Sequence, residues 1–205
     1  MSPVVGWVIV ALAALMLTAR RRSVCIALMA LQSSAVGVAA LALSPARPEA
    51  FAVAAMILVI KAVGITYFLT LAVRRTREPF RVRADLGPLA RLATALAGIV
   101  AFELLIPPLP LLAPAAQAAV IAAMGFGLAM VLTRHATLLQ LMGVLACENA
   151  IALAAISSPT GMPLIIELGA VADVIVFFTV GLAFHRRIFA VLGSGDSTRM
   201  RELRD

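Results

Sequence analysis

Seven apolar runs of bilayer-crossing length divide this chain, at residues 3–19, 24–43, 51–73, 87–106, 115–133, 137–156 and 164–185. A hydrocarbon layer about 30 Å thick needs roughly 17 to 25 helical residues to cross it. Backbone polar groups find no water there, so such segments satisfy them internally as helices. Hydrophobic residues make up 63% of the chain and its mean hydropathy is +1.07, against about 45–50% apolar in a soluble domain. The expectation is an all-α, multi-pass protein of the cell membrane with about seven transmembrane helices. The first run has its arginines (Arg20, Arg21, Arg22) after it rather than before it, which reads as a span and not a cleaved leader.

The breaks between runs alternate in kind. Arginines follow the first, third, fifth and seventh runs, whereas SPARPEA, PPLPLLAPAA and SSPTGMP are proline-rich and carry Arg47 alone. Of 17 Lys and Arg residues, 14 fall on one side, one on the other and two (Lys61, Arg91) inside runs. Basic loops stay cytoplasmic, so the N-terminus is expected outside and the C-terminus inside.

That pattern also disposes of the formal charge of +7 as a nucleic-acid signal, because the arginines sit at helix ends. Cys25 and Cys147 lie within apolar runs without paired spacing or nearby histidines and read as packing residues. There is no glycine-rich phosphate loop and no hydrolytic triad pattern. The chain is therefore expected to be no enzyme by itself, with no cofactor or metal of its own.

The sequence also resembles itself. AMILVIKAVGITYFLTLAVRR (55–75) aligns without a gap on ELGAVADVIVFFTVGLAFHRR (167–187), placing Lys61 opposite Asp173, and LTARRRSVCIALMALQSS precedes the first as LTRHATLLQLMGVLACEN precedes the second. This suggests a duplicated three-helix unit, both copies in the same orientation. The units run 1–75 and 115–187, with 76–114 holding a basic loop and the fourth span, and 188–205 a cytoplasmic amphipathic tail.

An ionisable side chain at the centre of a transmembrane helix costs roughly 2.5 to 3.5 kcal/mol on insertion scales, and such groups mark ion or proton paths by default. Counted along their spans, Glu148, Asp173 and Lys61 all fall near the midplane. The plain alternative is a structural ion pair, with Asp173 as counter-ion of Lys61. Glu167, a turn inside the outer edge, is either an entrance group for ions or a snorkelling surface residue. Arg91 and Glu103, near the two ends of the fourth span, read as interfacial. Thr66 and Thr70 could line a path, although threonine in a helix usually bonds to its own backbone.

The order of Lys in KAVGI, Glu and Asn in LMGVLACENA, then IIELGAVADVI and the polar tail GSGDSTRMRELRD resembles the E subunit of hydrogenase-4-type membrane complexes over nearly the whole chain. The last three helices are also similar to the three-helix K subunit of respiratory complex I and the C subunit of multisubunit cation/proton antiporters. Those proteins begin the key helix with Gly-Leu-Glu, whereas here Gly143 is followed by Val144 and Leu145 and the acid comes at Glu148. The resemblance implies an energy-converting complex whose [NiFe] centre and iron–sulfur clusters reside in partner subunits of a soluble arm, beside large antiporter-like membrane subunits. In it this chain is expected to carry protons, or sodium ions, through Glu148, Asp173, Lys61 and Glu167, with Glu148 taking up the proton and Lys61 and Asp173 forming the charge pair that tunes it. A stand-alone proton-coupled transporter and a scaffold without a proton path are the other readings. The partners are lipid and protein, with no nucleic acid.

Overall fold

The computed structural model describes residues 3–43, 51, 55, 58–76, 86–158 and 164–193. Everything regular in them is helical: α1 (Pro3–Thr18), α2 (Arg22–Leu43), α3 (a π-helical stretch, Leu58–Ile65, continuing as an α-helix, Thr66–Thr76), α4 (Pro88–Leu105), α5 (Pro114–Thr133), α6 (Thr137–Ser157) and α7 (Leu164–Leu192). Each helix falls on one of the seven apolar runs. Four contain stretches long and apolar enough to cross a membrane, at Arg22–Ala42, Pro88–Leu105, Pro114–Thr133 and Thr137–Ser157.

Local chemistry sets the boundaries. Helices α4 and α5 each start with proline in the first turn after an extended residue, Gly87 and Ala113, where the missing N–H has no intrahelical partner to lose. Helix α4 ends at Ile106, the residue before Pro107, because proline disfavours helical geometry in its predecessor. Gln117 fastens the loop that follows by accepting from the Leu109 N–H (2.8 Å) and donating to the Pro107 carbonyl (3.3 Å). Helix α7 runs past the expected end of its span at 185, through Ile188 to Leu192, and stops at Gly193, whose φ of 64° lies in the left-handed region. That conformation is cheap only for glycine and terminates helices. The tail reading therefore loses residues 188–192 to α7, and the remainder, from 194, lies outside the described residues.

Helices α5 and α6 form the central pair, with α1 and α2 against them; α1 packs on α5 and α2 on α6, which are the helices the internal similarity makes equivalent. The two segments aligned at Lys61 and Asp173 differ in backbone: the first is π-helical there and the second is α-helical. Buried side chains form one cluster around Met16, Met29, Leu69, Met142 and Leu145, and another around Ile9, Val36, Ala123 and Leu153.

The central crossing depends on small residues. A Cβ on Gly143 would lie 2.8 Å from the Gly127 carbonyl oxygen and 2.9 Å from the Val131 nitrogen, and a Cβ on Gly127 would lie 2.9 Å from the Gly143 oxygen. Backbones can approach this closely only where both side chains are missing, the usual means of helix association in lipid. Gly143→Val should therefore force α5 and α6 apart and cost at least about 1–3 kcal/mol, the range for overpacking. Thermal unfolding of the purified protein in mild detergent should show a lower midpoint than wild type.

Candidate functional site

At mid-height the bundle carries a polar layer inside an apolar frame. Lys61, in the π-helical part of α3, is only 3% exposed and donates through Nζ to Oε2 of Glu148 in an ion pair; the glutamate side chain is 21% exposed. Glu148 is the twelfth of the 21 residues of α6, so the pair sits halfway along that helix. Nζ also lies 3.4 Å from Oδ1 of the neighbouring Asn149. The Asn149 amide then donates to Oε1 of Gln32 (3.3 Å) and to Oγ of Ser33 (3.2 Å), and Gln32 Nε2 donates to the carbonyl of Ile9 (3.2 Å). One connected network thus joins α3, α6, α2 and α1.

The π-helical stretch matters for this geometry. Wider π turns occur mostly as short insertions within α-helices, frequently at functional sites, and here the irregular backbone delivers an ammonium to the bundle interior. Asn149 is the residue through which Lys61 reaches α2: its oxygen accepts from the lysine while its nitrogen serves Gln32 and Ser33, so both ends of the amide are used. All three partners of α2 and α6 are buried.

Among the described residues the carboxylate partner of Lys61 is Glu148; the expected pairing with Asp173 falls on a side chain outside them. Asp173 and Glu167 both lie on the α7 backbone, but their side chains are outside the described residues. Glu103 is exposed on α4. Thr70 bonds to the Thr66 carbonyl at 2.8 Å, satisfying its own helix. Cys25 and Cys147 are both free thiols facing carbonyls, Met16 at 3.7 Å and Met124 at 3.6 Å. Among the described residues no three His, Cys, Asp or Glu side chains gather as a metal site.

Three members of the network, Gln32, Ser33 and Asn149, were not anticipated. Their signal lay in the internal similarity, which sets the polar end QSS of one segment opposite CEN of the other. These two ends are the ones that meet in the structure.

A second polar cluster occupies the basic end of the bundle. Arg91, read from the sequence as interfacial, is only 1% exposed, and Arg134 only 2%. Arg91 Nη1 donates to the Leu17 carbonyl at 2.8 Å and its Nε to the Leu86 carbonyl at 3.2 Å. Arg134 Nη2 donates to the same Leu17 oxygen at 2.7 Å and also to Ala19. The Leu17 and Ala19 carbonyls lie at the C-terminal end of α1, where the helix dipole welcomes a cation. Burial first, and then the adjacent Arg91 guanidinium, pull Arg134 down to about 10, which leaves it charged at neutral pH. Nearby, Thr137 Oγ1 and His185 Nδ1 are 2.6 Å apart, tying the start of α6 to the last part of α7.

No family model, no curated protein and no solved structure matches this chain.

Removing one member of a buried ion pair strands the other and costs about 3–5 kcal/mol, whereas replacing both by apolar groups is often neutral. Lys61→Met should therefore destabilise the fold by about that amount, and the double variant Lys61→Met with Glu148→Leu should recover most of the loss. Denaturant titration of both variants in the same detergent measures the difference.

Proposed function

We propose that this chain is a small membrane subunit of a complex I-like, energy-converting hydrogenase complex, in which the mid-bundle Lys61–Glu148 pair is a station for protons, or sodium ions, moved by redox chemistry in other subunits. The observation that carries this reading is the ion pair itself: an amine and a carboxylate held together halfway along apolar helices, with the glutamate still partly open. Ionisable groups at that depth are costly and mark ion or proton routes by default. The order of Lys61, Glu148, Asn149 and the ELGAVAD segment, which resembles the E subunit of hydrogenase-4-type complexes, supports the same assignment. No redox cofactor is assigned to this chain; [NiFe] and iron–sulfur centres belong to the proposed partners.

In this reading the pair works as a switch. With Lys61 in contact, Glu148 is held as a carboxylate. When a redox change in the arm draws the ammonium away, a desolvated carboxylate without a counter-ion binds a proton from water. Return of Lys61 then expels that proton toward the next acidic group, with Asp173 and Glu167 on α7 as candidates. Asn149, fixed from behind by Gln32 and Ser33, supplies the position to which the ammonium returns.

Two measurements separate this reading from the others. Purification in mild detergent should bring down large antiporter-like membrane subunits and iron–sulfur proteins in stoichiometric amounts; isolation of the chain by itself would favour a stand-alone transporter. In the assembled complex, Glu148→Gln keeps shape and hydrogen bonding but cannot titrate. Proton movement per hydrogen turned over should fall to background while the complex remains assembled. A wild-type ratio in that variant would leave the chain as a scaffold.

A further inference from the structure

The mid-bundle pair leaves the arginine cluster at the basic end unexplained. Arg91 and Arg134 bring two like charges together at one carbonyl, Leu17, and neither is in an ion pair with a described carboxylate. Three of their nitrogens, Arg91 Nη2 and Arg134 Nε and Nη1, are buried without a hydrogen-bond partner among the described residues. Helix carbonyls satisfy the other donors but cannot neutralise the charge. Two guanidinium forks with donors to spare have the chemistry of a phosphate receptor, since the planar fork matches phosphate oxygens.

Location narrows the source of that phosphate. Arg91 stands in the first turn of α4 and Arg134 caps the end of α5, so both lie at the depth where helix ends meet lipid headgroups. Helix α4 lies at the periphery among the described residues, packed chiefly on α5 and α1. Its other flank is apolar and open, with Leu89 80% and Leu104 81% exposed, a surface suited to acyl chains. Basic pockets between transmembrane helices are recurrent binding places for acidic headgroups. We infer that Arg91 and Arg134 form a binding site for the phosphate of an acidic phospholipid, seated where the ends of α1, α4 and α5 converge. The bound phosphate accepts from the spare guanidinium donors and offsets the repulsion between the two cations.

The full-length chain, purified in mild detergent and exposed to equal amounts of phosphatidylglycerol and phosphatidylcholine, tests this by native mass spectrometry. One phosphatidylglycerol per chain should survive activation with a preference of about fivefold or more, and Arg134→Gln or Arg91→Gln should each reduce it by about fivefold. Arg187→Gln, at an exposed arginine, is the control and should leave retention unchanged. A second measurement needs no variant: short-chain phosphatidylglycerol should raise the thermal midpoint of delipidated wild type saturably, and phosphatidylcholine should not. Equal stabilisation by inorganic phosphate at the same concentration would keep the oxyanion site but contradict the lipid assignment. Absence of any preference, or equal loss in Arg187→Gln, would overturn the site altogether.

Discussion

An ammonium and a carboxylate buried against each other halfway through an apolar bundle set the terms for everything around them. Neither charge can be left alone in hydrocarbon, and their attraction repays desolvation only when the remaining donors and acceptors are also placed. Lys61 and Glu148 meet that demand by recruiting Asn149, which in turn is held by Gln32 and Ser33. The consequence is architectural. Helices α2, α3 and α6 must keep a common register at this level, and the glycine contact between α5 and α6 fixes the central crossing beside which the layer is built. The partial openness of Glu148 within this otherwise closed layer is what joins structure to the proposed role: the fold holds the carboxylate rigidly on one side and leaves it approachable on the other.

The basic end follows a different logic. There, arginines replace the mid-bundle pair as the polar ties between helices, and they bind backbone carbonyls rather than side chains, Leu17 and Ala19 at the end of α1 and Leu86 before α4. Leu17 is shared by Arg91 and Arg134, so the ends of α1, α4 and α5 are gathered at one oxygen. Concentrating cations at helix C-termini is favourable, yet two guanidiniums at one oxygen also repel. An arrangement of this kind is stable without help only at some cost, which is why an anion from the membrane surface fits it.

Helix number and approximate limits were legible in the sequence because hydrocarbon thickness and backbone self-satisfaction leave so few alternatives. Proline at the starts of α4 and α5 and glycine at the end of α7 marked boundaries for reasons of local geometry. Glu148 and Lys61 were legible as well, since charge in an apolar run is conspicuous. Their mutual pairing was not, because depth does not give the rotation of each helix, which the π-helical stretch around Lys61 alters. Asn149, Gln32 and Ser33 were hidden for another reason, because uncharged polar residues in transmembrane helices are common and their partners are set by packing. Arg91 was placed near a helix end, but its burial in the bundle was not legible, because position along a helix does not reveal which flank faces the bundle.

Reversing the pair tests its central place most directly. Lys61→Glu and Glu148→Lys, made singly, put two like charges in contact at the middle of the bundle; made together they restore attraction with the polarity exchanged. The account predicts that each single reversal yields little folded protein by detergent size-exclusion chromatography, and that the double reversal recovers a substantial part of the wild-type yield. Single reversals that fold as well as wild type, or a double reversal no better than the worse single, would contradict it.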